Sequence, residues 1–182
     1  MVYCCGYPFE VYSPQLQHTV REQEKQMDIK VWKTRTGKNV EVALDTLPAQ
    51  VRETLAYCQS AYTLPSELTV HFFLNVPPSR HGQYGVYNYR NPIIENRRIV
   101  GWSKVINIYM GGKDCTPARV AYTTAHELAH AEHDELGLLR SATENDREGY
   151  ADTAAYQVGQ VCAFSVPASR RFMHNWDIPS FG

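Results

Sequence analysis

Thr116-Pro-Ala-Arg-Val-Ala-Tyr-Thr-Thr-Ala-His126-Glu127-Leu-Ala-His130-Ala-Glu-His-Asp-Glu135 is the stretch from which the rest of the chain is read. Thr116 is a good N-cap, because its hydroxyl can accept from an unpaired amide of the first turn. Pro117 suits the first helical position, where no amide bond is lost. No other breaker occurs before Gly137, so a helix is predicted over 117–135. On that helix His126 and His130 are one turn apart, which stacks the imidazoles at about 5–6 Å between Cβ atoms. This is a workable bite for one tetrahedral zinc ion. Glu127 can reach beside the metal and act as a base on a water without binding the ion itself.

Toward the C-terminus, Ser141-Ala-Thr-Glu144 reads as a capping box that opens a second helix running to about Phe164. A catalytic zinc site takes three protein ligands and leaves one position open. The second helix offers Glu144, Glu148 and Asp152. Glu148 is assigned as the third ligand. Asp152, one turn on, is assigned as acceptor of the other ring N–H of a ligand histidine, which orients the ring and raises its basicity. Ala155 continues their face and Gly159 lies close to it, so the two helices can approach closely. The bland alternatives are histidines that only pack, an exposed acid at 148 and a simple salt bridge at 152. His133 adds a third histidine to the first helix, but three ligands on one straight helix converge poorly on a small ion. Glu132 and Glu135 are read as the solvated end of that helix, and either is a substitute for Glu148.

The segments before residue 111 carry the β signal. Val31-Trp32-Lys33 and Val40–Leu44 flank Thr36-Gly37-Lys38-Asn39 as a hairpin. Pro48 opens a helix with Val51, Leu55, Cys58 and Tyr62 on one stripe. Strands are expected over Leu68–Leu74, Tyr84–Tyr89 and Val105–Met110, with the Asn91-Pro92 region as a turn or loop and Gly111-Gly112 as a stop. Residues 13–28 are polar and read as a surface helix or flexible arm, and 168–175 as a short last helix. The result is an α+β class with an early, mostly antiparallel sheet and a late helical half.

At 182 residues, with 43% hydrophobic and 20% charged residues, the chain suits a single domain spanning 1–182. A net charge of −1 and the lack of a basic-aromatic stripe argue against direct nucleic-acid binding. The five cysteines are scattered and form no metal knuckle, so reduced structural thiols are expected. The opening residues lack the pattern of a signal peptide. No stretch approaches the roughly 20 apolar residues of a membrane span. Cytoplasmic residence is the expectation, with no membrane partner and the oligomeric state left open.

Tyr122–His130 followed by Glu148-Gly-Tyr-Ala-Asp152-Thr-Ala-Ala-Tyr156 resembles the gluzincin branch of zinc metallopeptidases. In shorter form it is similar to the ImmA/IrrE and antirestriction ArdC-like domains. The resemblance covers roughly residues 105–165. It implies a helical zincin core, with zinc (Zn2+) held by His126, His130 and Glu148, Glu127 as general base, and Asp152 bracing a histidine. It also implies a protein or peptide substrate, a regulatory protein among the options. The extended motif with a glycine and third histidine is absent.

The chemistry expected is peptide-bond hydrolysis by a metal-activated water, with Val105–Met110 pairing to an extended substrate if it lies at a sheet edge. Tyr150, Tyr156, His133 and His174 are the candidates for stabilising the oxyanion. Tyr84–Tyr89 and Trp102 are assigned to packing first and to a cleft second. The competing function keeps the zinc but makes the domain a non-enzymatic binding or inhibitory module acting on a protein partner.

Overall fold

The computed structural model describes residues 27–78 and 83–164. Strands β1 (Asp28–Arg35) and β2 (Lys38–Val42) form the expected hairpin. It turns at Thr36-Gly37, where φ is 47° and 77°, the left-handed geometry that matches strand twist in a two-residue turn. Helix α1 (Ala49–Ala61) follows Pro48 and buries Val51, Thr54, Leu55 and Cys58. Then come β3 (Leu68–Phe73), β4 (Gly85–Glu95), β5 (Arg98–Tyr109), α2 (Pro117–Glu135) and α3 (Glu144–Val161). Most of the arm expected near 13–28 lies outside the described residues; Met27 is buried and Asp28 already opens β1. The helix expected over 168–175 also lies outside them.

The five strands form one sheet in the order β2-β1-β3-β5-β4. The two hairpins are antiparallel, but β1/β3 and β3/β5 are parallel. The sheet is therefore mixed, not mostly antiparallel. α1 carries the chain from the β2 edge back beside β1, so β3 runs parallel to β1. The chain then passes to the far edge as β4, and β5 folds back between β4 and β3. Val105–Met110 is consequently internal, bonded on both sides, and β4 is the edge.

Asn91-Pro92 does not turn; both lie inside β4. Proline is tolerated in a strand at an edge or a bulge, and β4 is an edge strand with a register shift between Asn88 and Asn91. The turn falls instead at Asn96-Arg97, both with positive φ. Beyond the part of β5 that pairs with β3, this hairpin stands clear of the sheet, exposing Ile94, Ile99, Val100 and Trp102.

The side chains of Val31, Val70, Phe72, Ile106 and Ile108 make the sheet's share of the core, all essentially excluded from solvent. α1, α2 and α3 supply Leu55, Ala121, Leu128, Ala155 and Val158. α2 is buried along most of its length and packs against α1, α3, β4 and β5. Its last turn carries Glu132, Asp134 and Glu135, an unfavourable charge for a helix C-terminus. Partners offset it: Lys104 Nζ is 2.8 Å from Asp134 and 3.3 Å from Glu135, and the Tyr87 hydroxyl donates to Asp134 at 2.8 Å. Glu132 is no solvated end. It accepts from the Thr63 amide at 2.9 Å and the Tyr150 hydroxyl at 2.8 Å, tying α2 to the loop after α1 and to α3. Among the described residues no helix is long and apolar enough to cross a membrane.

Candidate metal centre

α2 begins and ends where its capping chemistry dictates. The Thr116 hydroxyl accepts from the Arg119 amide, with Pro117 in the first turn. At the far end Gly137 has φ of 74°, and the Leu138 and Gly137 amides bond back to the His133 and Asp134 carbonyls. That closes the helix in the way glycine permits. α3 starts two residues later than the expected box. The Ser141 hydroxyl is engaged with the Leu138 carbonyl in the preceding turn. Thr143 and Asp146 form the capping box instead. The correction leaves Glu148 and Asp152 on the same face of the helix. Gly149, Ala151 and Ala155 are buried, letting α3 lie close on α2.

This packing brings His126, His130 and Glu148 together. His126 Nε2 and His130 Nε2 are 3.2 Å apart, and each is 3.3 Å from an oxygen of Glu148. Ligands about 2.0–2.1 Å from a tetrahedral ion are about 3.3 Å from one another, so the three donors sit at tetrahedral edge spacing. The group could hold a metal ion. Asp152 Oδ1 lies 2.9 Å from His126 Nδ1, the ring nitrogen turned away from His130 and Glu148, and accepts from the Tyr122 hydroxyl at 2.5 Å. With Nδ1 turned to Asp152, loss of the ring's other proton leaves an Nε2 lone pair aimed between His130 and Glu148.

The charges of the group follow from these contacts. Burial works against a proton on His126, but the hydrogen bonds to Asp152 and Glu148, with the nearby Glu127 charge, outweigh it and hold its pKa up at about 9. The two histidine hydrogen bonds hold the Glu148 carboxyl far below the usual range, against the opposing effect of burial. Glu127 is buried, which pushes its pKa up, while His126 and His130 pull it back. Its carboxylate accepts from the Tyr87 amide of β4. A Cβ on Gly85 would lie 2.8 Å from Glu127 Cγ and 2.9 Å from Oε1. The start of β4 is thus moulded on the glutamate.

His126, His130, Glu148 and Glu127 line one open cavity of about 640 Å3, whose other wall is Tyr84 with Gly85, Val86, Tyr87 and Tyr89 of β4. Tyr84–Tyr89 therefore shapes the cleft, whereas Trp102 is exposed on the projecting hairpin. His133 is not in the metal group; it stacks on Tyr150 at 4.5 Å. That stacking, and the bond to Glu132, also take Tyr150 out of the cavity lining. Tyr156 is exposed, and His174 lies outside the described residues. Sequence reasoning took Tyr84 and Gly85 only as part of the Tyr84–Tyr89 segment, quoted Tyr122 only within the motif, and passed over Arg119 and Arg147; all five reach the cavity or its supports. A signal existed for Arg119, since it precedes His126 by two turns on the same helix face. For Gly85 there was none, because its neighbour belongs to another element.

Comparison with protein-family models, with curated proteins and with solved structures gave no match. The resemblance to gluzincins thus rests on the motif residues quoted above.

Proposed function

We propose that the chain is a zinc-dependent metallopeptidase that hydrolyses peptide bonds in a protein substrate. The observation that carries this reading is the meeting of two imidazoles and a carboxylate at tetrahedral spacing in a cavity that also holds the Glu127 carboxylate. Two nitrogens and one oxygen suit zinc better than the all-oxygen preference of magnesium or calcium. Zinc held by His126, His130 and Glu148 would supply Lewis acidity toward a water and a carbonyl oxygen.

The chain's own residues do the rest. Glu127, buried and held by the Tyr87 amide, takes a proton from the attacking water and passes it to the departing amine. Asp152 steadies His126, and Tyr122 steadies Asp152. Among the described residues β4 is the edge strand of the sheet and lines the cavity, an arrangement that favours an extended peptide adding as a further strand. This moves the pairing role from Val105–Met110 to the neighbouring strand.

The test compares cleavage of unfolded proteins and peptide libraries by the wild type and Glu127→Gln, with zinc content measured in both. Glu127→Gln is expected to keep its zinc and lose about 10^2–10^4-fold in rate. Equal cleavage would remove Glu127 from its role. Absence of cleavage by zinc-loaded wild type, with retained capture of a protein partner, would favour a binding module.

A further inference from the structure

The wall of the metal cavity carries two guanidiniums that the hydrolytic mechanism does not use. Arg119, in the first turn of α2, is half-buried and fixed in place. Its Nη1 donates to the Tyr84 hydroxyl at 2.8 Å, and its guanidinium lies 4.8 Å from the centre of the Tyr84 ring. Arg147, next to Glu148 on α3, is also half-buried, and its Nε is shielded from solvent with no hydrogen-bond partner. Both line the cavity that holds His126, His130 and Glu148. Among the described residues neither forms an ion pair.

Half-buried guanidiniums with unmet donors are receptors for planar anions, because their forked N–H groups match a carboxylate. The acids of the cavity do not answer them. Glu148 is engaged with the two imidazoles and Glu127 with the Tyr87 amide, which leaves the exposed Glu144 as the remaining carboxylate of the lining. Arg119 is also pre-organised: its tie to Tyr84 has already removed much of the side-chain freedom that binding would otherwise cost.

We propose that Arg119 and Arg147 form an anion-recognising wall beside the metal, selecting substrates that place a carboxylate close to the hydrolysed bond. The proposal rests on the metallopeptidase reading above and narrows its substrate class. The carboxylate has two sources in a peptide, an acidic side chain or the free C-terminus.

The test uses three succinyl hydroxamates, which bind zinc directly and need no turnover, titrated against the full-length zinc-loaded protein. One ends in alaninamide, one in alanine with a free carboxylate, and one in aspartamide. At least one acidic probe is expected to bind about tenfold or more tightly than the neutral probe, with an advantage that shrinks as salt rises. Which acidic probe gains identifies the source of the carboxylate. Arg119→Gln and Arg147→Gln each reduce that advantage, while the alaninamide probe, which offers the guanidiniums nothing, keeps its affinity and reports an intact fold. Arg119→Lys retains charge but loses the fork, so it gives a partial loss. Equal affinity for all three probes overturns the anion wall and leaves the metal centre standing. No binding by any probe overturns the metal reading and the wall with it.

Discussion

Gly85 of β4 and Glu127 of α2 are packed so closely that a methyl group on the glycine would lie 2.8 Å from Glu127 Cγ, as well as 2.6 Å from Thr123 Cγ2. The missing side chain lets the edge strand reach the carboxylate and donate to it through the Tyr87 amide two residues on. Gly85→Ala is expected to displace Glu127 while leaving His126, His130 and Glu148 in place. Displacement by about 1 Å costs about 100-fold in rate. The variant should therefore hold a full complement of zinc with peptidase activity reduced to that extent, read from metal analysis and cleavage of the same sample. Full activity would show that the contact does not position the base.

Asp152 is expected to govern metal affinity without touching the ion. Asp152→Ala frees the His126 ring and removes the acceptor of the Tyr122 hydroxyl. Zinc affinity should fall about 10–100-fold, as measured by chelator competition. A change below threefold would mean that the ring is held by packing alone.

Metal binding should release a proton at neutral pH. Burial opposes a charge on His126, but Asp152 and Glu148 outweigh it and keep the metal-free pKa at about 9. At pH 7 the metal must displace that proton, so apparent affinity rises by about tenfold per pH unit and levels off above about pH 9. Calorimetry in buffers of different ionisation heat should give close to one proton released at pH 7. Zero release would show that His126 is already neutral.

The metal-free fold should weaken in alkali. Burial is the first cause that raises the Tyr62, Tyr87 and Tyr150 pKa values, and the hydrogen bonds to Asp134 and Glu132 add to it for the last two. Above about pH 10 the unfolded chain loses phenolic protons that the folded chain keeps, so stability falls as pH rises. Lys104 acts in the same direction. Burial opposes its charge, but Asp134 and Glu135 raise its folded pKa, and the stability it contributes is lost as pH passes through that value. Denaturant titrations from pH 8 to 11 should show falling midpoints, and the share of the phenolate absorbance that Tyr62→Phe, Tyr87→Phe and Tyr150→Phe remove should appear only as the chain unfolds. Appearance of that share at full circular dichroism would contradict the burial argument.

Thr143→Ala removes the hydroxyl that accepts from the Asp146 amide at the start of the helix bearing Glu148. A lost cap of this kind should lower the melting temperature by about 2–4 °C in a chain of this size. Ser141→Ala should have a smaller effect, since its hydroxyl serves only the preceding turn. The reverse order would return the cap to Ser141.

Local chemistry was legible wherever one element decides the outcome. Thr116, Pro117 and Gly137 bound α2 because capping needs only neighbouring atoms, and the His126–His130 spacing is a property of one helix. Helical spacing likewise kept Glu148 and Asp152 on one face, even though the cap moved from Ser141 to Thr143. Strand order was not legible. Hydrophobic alternation in Val105–Met110 is the same for an edge or an internal strand, and only the path of β4 made β5 internal. Pro92 looked like a turn because its tolerance inside β4 depends on that strand being an edge with a register shift. Contacts between distant elements decided the remainder. Gly85 against Glu127, Arg119 on Tyr84 and Glu132 held by Thr63 and Tyr150 each join groups far apart in the chain, and no local spacing encodes such meetings. The residue types and their helical phase were determined by the sequence itself. Which side chains share a cavity was decided by tertiary packing, because a helix period fixes direction around one axis and says nothing of what lies across from it.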